Sequence, residues 1–106
     1  MFARVTTFSG PAEQIEEGLR VYREGALPWL REASGFRGFV ALLDAERGRS
    51  VGITFWTTRE GAADAAESGR DLRQQIVDGL GVTMDTLDVY EVVVADGLGL
   101  DTVDER

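Results

Sequence analysis

Trp56, Tyr22 and Arg73 are the residues of this chain whose chemistry best suits holding a small molecule. Trp56 closes the apolar run from Val51. Its indole offers a flat face for stacking and one N–H donor. Tyr22 lies on the apolar side of an amphipathic segment, where a phenol can hydrogen-bond a ligand's phenol or carbonyl, and Trp29 follows beside Pro28. Arg73 falls on the apolar side of a later segment, where a guanidinium would meet an enolate or a carboxylate. Each has a packing alternative. Trp56, Tyr22 and Trp29 can fill a core, and an Arg can lay its stem on apolar surface and reach out to water. Glu91 alternates with Leu87, Val89 and Val93, so it is either a half-buried base or an ion-pair partner across a subunit interface.

The missing residue types exclude more chemistry than these candidates suggest. Among 106 residues there is no Cys, His, Lys or Asn, and all 11 cationic side chains are Arg. No thiolate nucleophile, disulfide or thiolate metal site is possible. Imidazole bases and ligands are excluded, and so is a lysine Schiff base. Glu60, Asp64, Glu67 and Asp71 form an acidic stripe. Carboxylates along one helix line do not wrap round an ion, so the stripe reads as a solvated face. Gly79-Leu80-Gly81 and Gly97-Leu98-Gly99 lack the spacing of phosphate loops. The expected complement of cofactors and metals is therefore none.

The formal charge of −8, with Arg spread among 19 carboxylates, makes nucleic acid a poor partner. No apolar run approaches the roughly 20 residues of a membrane span. Met1 to Phe8 lacks the apolar stretch of a signal peptide, so a cytoplasmic location is expected.

The elements that must position the candidates can be placed from periodicity. Phe2 to Phe8 is rich in β-branched and aromatic residues and reads as a strand. After Pro11, apolar residues at Ile15, Leu19, Tyr22, Ala26 and Leu30 mark one helix face, with a break expected at Pro28. Phe36 to Asp44 and Ser50 to Thr57 read as strands joined by a hairpin loop with Gly48 at positive φ. Thr57 to Glu60 matches a capping box, and a second helix is expected from there to about Leu80. Thr86 to Ala95 is the last strand. Residues 1–95 form one domain, and 96–106 read as a flexible acidic tail.

The order β-α-β-β-α-β is the ferredoxin-like arrangement: an α+β fold with a four-stranded antiparallel sheet and two helices on one face. Both faces of the sheet look apolar. Val51, Ile53 and Phe55 oppose Gly52, Thr54 and Trp56; Phe36, Val40 and Leu42 oppose Phe39, Ala41 and Leu43; Leu87, Val89 and Val93 oppose Tyr90, Val92 and Val94. Two helices cover only one face, so a second copy of the chain is the expected partner.

Leu27-Pro28-Trp29-Leu30, Gly35-Phe36-Arg37-Gly38-Phe39, Leu42-Leu43-Asp44 and Phe55-Trp56-Thr57-Thr58-Arg59-Glu60-Gly61-Ala62 together resemble the antibiotic biosynthesis monooxygenase (ABM) superfamily. The resemblance spans about Phe2 to Ala95. It implies a homodimeric α/β barrel of ferredoxin-like subunits. It also implies a small-molecule enzyme, a cofactor-independent monooxygenase or an isomerase, acting on an aromatic or polyketide-like substrate. The family's Trp matches Trp56. Its haem-degrading members use an Asn and a His that this chain lacks; its first-strand positions here are Thr6 and Thr7. Trp56, Tyr22 and Arg73 are the expected substrate contacts. The alternative is a non-catalytic dimer that binds a small apolar ligand or serves a structural role.

Overall fold

The computed structural model describes residues 1–99; the rest of the expected tail lies outside them. The elements are β1 (Phe2–Ser9), α1 (Ala12–Gly25), α2 (Leu27–Leu30), β2 (Phe36–Asp44), β3 (Arg49–Trp56), α3 (Arg59–Ser68), α4 (Arg70–Leu80) and β4 (Thr83–Glu91). The strands form one antiparallel sheet in the order β2-β3-β1-β4, so β1 and β3 are central. This is the α+β ferredoxin-like fold. The two expected helical segments are each divided in two, giving four helices.

Both divisions have local causes. Pro28 lacks the N–H a helix interior needs. The chain therefore ends α1 at Gly25 and restarts as a single turn with the proline near its beginning. The expected continuous second helix is interrupted at Gly69 (φ −91°, ψ 3°), which caps α3 and opens α4. Glycine is a poor helix residue, and here its lack of a side chain is used. A Cβ at position 69 would stand 3.1 Å from Arg73 Nη1 and 3.3 Å from the Ala65 carbonyl oxygen. The cap of α3 is Thr58, whose hydroxyl accepts from Gly61 N at 3.0 Å, one residue beyond the expected Thr57.

The register decides which side chains face the helices. Phe2, Arg4 and Thr6 of β1 pair with Trp56, Thr54 and Gly52 of β3, and this set looks toward the helical layer. Ala3, Val5, Ile53 and Phe55 look the other way and pack as one cluster with Met1 and Val92. In β2 the expected alternation fails at one point. The register shifts between Phe36 and Gly38, so Phe36 joins the Trp56 side while Val40 and Leu42 sit opposite Ile53 and Val51. A bulge residue, Arg37, reverses the parity.

The last strand begins and ends earlier than expected. Gly81 (φ 71°) ends α4 in the left-handed conformation and β4 follows at once. Its partner β1 begins at Phe2, so pairing stops at Glu91, with one more bond from Val92 N to Met1 O. Val93 and Val94 lie beyond the sheet, exposed, so Val93 does not join Leu87 and Val89 on a strand face.

Candidate functional site

A cavity of about 50 Å³ lies between the sheet and helices α1 and α4. That is room for a few waters or the head of a small molecule, well short of the roughly 300–1,000 Å³ of drug-sized ligand sites. Its walls are mainly apolar, built by Phe8, Ile15, Leu19, Phe39 and Ile76 among others. Its polar lining residues come from four different elements: Arg4 and Thr6 from β1, Tyr22 from α1, Ser50 and Thr54 from β3 and Arg73 from α4.

Each polar group is held by its element's packing. Arg4 is on the helix-facing side of a central strand and only 4% exposed. Its Nη2 donates to the Tyr22 hydroxyl at 3.2 Å, while Nε and Nη1, both buried, have no partner among the described residues. Tyr22 leans on Phe39, ring centroids 5.3 Å apart. Arg73, 7% exposed, donates from Nη2 to the Ala66 carbonyl oxygen at 2.5 Å. A cation there satisfies an orphan carbonyl near the end of α3. Burial first, and then the nearby Arg4 guanidinium, lower the Arg73 pKa from its ordinary value. A guanidinium starts so far above neutrality that Arg73 stays charged.

Of the three expected contacts, Tyr22 and Arg73 line this cavity and Trp56 does not. Trp56 is 1% exposed and packs with Ala26, Leu27, Leu30, Ala62 and Ala65. Phe36 meets it edge-on at 5.4 Å. Its indole N–H is taken by Thr54 Oγ1 at 2.8 Å. Trp56 therefore stands one hydrogen bond behind the cavity wall. Trp29 is half exposed on α2 and forms neither core nor cavity. Glu91 and the stripe Glu60, Asp64, Glu67 and Asp71 are exposed, and no three acidic side chains converge among the described residues.

Sequence reasoning passed over Arg4 and Thr54. A signal for Arg4 was present: a charged residue alternating with Phe2, Thr6 and Phe8 on the same side of an otherwise apolar strand.

No family model matches the chain, and no curated protein does. Solved structures do. A candidate antibiotic biosynthesis monooxygenase from Deinococcus radiodurans superposes with a TM-score of 0.71 at 17% identity, over 92% of this chain and 98% of its own. A monooxygenase from the ActVA-Orf6 gene of Streptomyces coelicolor, in complex with the ligand nanaomycin D, gives 0.65 at 16% identity, over 90% and 92%. SnoaB, a cofactor-independent oxygenase from Streptomyces nogalater, gives 0.66 at 16% identity, over 91% and 96%. With nearly whole chains superposed, this protein has the fold of the antibiotic biosynthesis monooxygenase structures.

Proposed function

We propose that the chain is a small-molecule enzyme of the ABM type. It would oxygenate an ionisable aromatic or enolic compound whose reacting end enters the cavity between helices and sheet, working as a homodimer and without a cofactor. The observation that carries this reading is the cavity itself, an apolar-walled space with Tyr22, Arg4 and Arg73 set into its lining from separate elements. One neighbour in fold is described as a cofactor-independent oxygenase and another holds a small ligand, which supports the same reading.

The chemistry needs little from the protein. An ionised phenol or enol is itself electron-rich enough to reduce O₂. An activated CH₂ becomes C=O, one oxygen atom enters the substrate, the other leaves as water, and the four electrons that O₂ takes all come from carbon. The protein holds the anion, excludes water and stabilises developing charge with fixed donors. Arg4, Arg73 and the Tyr22 hydroxyl are such donors, and none of the missing residue types is required.

The second subunit would cover the sheet face that the helices leave open. Val40, Leu42 and Tyr90 lie on that face, Leu42 being 51% exposed and Tyr90 55%. Exposed apolar faces of this kind mark interfaces.

A second reading, a ligand-binding dimer without catalysis, is favoured by one observation: the family-matched Trp56 is sealed in the core. Oxygen uptake separates the two. The enzyme consumes one O₂ per molecule of a probe with a phenol-activated CH₂, such as an anthrone, faster than the same probe oxidises in buffer. A binder leaves the background rate unchanged.

A further inference from the structure

The cavity holds two buried cations and no anion. Arg4 and Arg73 both line it, and none of its other lining residues is Asp or Glu. Burying a guanidinium without a counter-charge is costly, and two in one cavity repel. The chain is not short of carboxylates, having 19 acidic residues. It pairs them with Arg20, Arg47 and Arg70 on the surface, where solvent makes an ion pair worth little. In the cavity the direct partners are a hydroxyl on Arg4 and a backbone carbonyl on Arg73; the carboxylate whose field reaches Arg73, Glu67, is exposed and paired with Arg70. Two buried nitrogens of Arg4, Nε and Nη1, have none among the described residues.

We infer that the ligand of this cavity is a small organic carboxylate, its carboxylate seated between Arg4 and Arg73 and its apolar body against Phe8, Ile15 and Ile76. The inference rests on the reading of the cavity as a ligand site and names the ligand's class: the anion that Arg4 and Arg73 hold is a carboxylate on the substrate, which leaves the Tyr22 hydroxyl as the donor to a reacting phenol or enol. A carboxylate fits better than a larger anion. It is planar, it takes the forked contacts a guanidinium offers, and it concentrates the charge at one end, leaving the rest free to meet apolar walls. A free inorganic anion would satisfy the charge but not the walls.

Calorimetric titration of the full chain with benzoate, benzamide and sodium chloride tests this. Benzoate is expected to bind at least about tenfold more tightly than its neutral isostere benzamide, since the amide brings no charge to offset the two guanidiniums and turns one acceptor oxygen into a donor NH₂ facing them. Arg4→Met and, separately, Arg73→Met are each expected to abolish that preference. Ligand-free Arg4→Met is expected to unfold at a higher temperature than the parent, because an unpaired buried charge is replaced by an apolar chain of similar length. Benzamide binding as tightly as benzoate overturns the inference and leaves the cavity a ligand site. Chloride displacing benzoate at equal concentration overturns it in favour of a general anion site. No binding of either aromatic probe overturns the inference and the ligand-site reading together. Absent oxygen uptake with benzoate preference intact overturns only the catalytic reading.

Discussion

Trp56 Nε1 donates to Thr54 Oγ1 at 2.8 Å, and it is the threonine, two residues back on the same face of β3, that lines the cavity. The indole thus fixes a cavity hydroxyl from behind. With its oxygen accepting from Trp56, the Thr54 hydroxyl is left with one hydrogen to donate.

This relationship separates stability from binding at Trp56. Trp56→Ala is expected to cost about 3–5 kcal/mol in denaturant unfolding, because the side chain fills a closed core. Trp56→Phe keeps an aromatic filler and is expected to cost about 1–2 kcal/mol, from lost volume and the lost N–H donor. In a Trp29→Phe background, a cavity ligand is expected to bind the Trp56→Phe variant with little loss of affinity. A large affinity loss at unchanged stability would instead place the indole in contact with the ligand.

Tyr22→Phe tests the Arg4–Tyr22 hydrogen bond. Removing the hydroxyl leaves every N–H of a buried guanidinium without a side-chain partner, and is expected to destabilise the fold by about 1–3 kcal/mol. In an Arg4→Met background the same substitution is expected to cost much less, because no stranded donor remains. Urea titrations of the four proteins close the cycle, and additive effects would show the two residues to be uncoupled.

Homodimer formation is tested by mass and by one substitution. Light scattering in dilute buffer is expected to give twice the 11.6 kDa subunit mass. Leu42 is exposed on the open face of an edge strand, opposite Val51. Leu42→Asp is expected to yield a monomer with unchanged far-ultraviolet circular dichroism, since it places a charge in the interface and disturbs no subunit core. A parent protein that is monomeric at micromolar concentration would remove the barrel assembly.

Gly48 is expected to be intolerant of any side chain. It has φ +65°, and a Cβ there would lie 2.3 Å from the Gly10 carbonyl oxygen. Its own carbonyl accepts from Gly10 N at 2.9 Å, tying the β2–β3 hairpin to the end of β1. Gly48→Ala is expected to cost about 2 kcal/mol or more in thermal or urea unfolding, from left-handed strain plus the backbone clash. Gly79→Ala, inside α4 where a Cβ meets nothing within 4 Å, serves as the contrast and is expected to stabilise by about 0.5–1 kcal/mol.

Much of this protein is local and therefore legible in the sequence. Alternation set β1 and β3, three- and four-residue spacing set the helices, Pro28 marked the break after α1, and the glycine of the hairpin announced its positive φ. The fold class follows from element order, because a β-α-β-β-α-β chain has few ways to bury its apolar sides. What the sequence left open depends on contacts between elements distant in the chain. The bulge at Arg37 reverses Phe36 only because β2 must align with β3 on both sides of it. The end of β4 is set by where β1 runs out, which β4's own residues do not encode. Gly69 divides the second helix where Arg73 turns back to the end of α3, so a residue that looked like helix interior became a boundary. The cavity is the extreme case. Arg4, Tyr22, Thr54 and Arg73 come from four elements, and only the packing of α1 and α4 over the central strands brings their polar groups to one space, while the same packing seals Trp56 behind the wall.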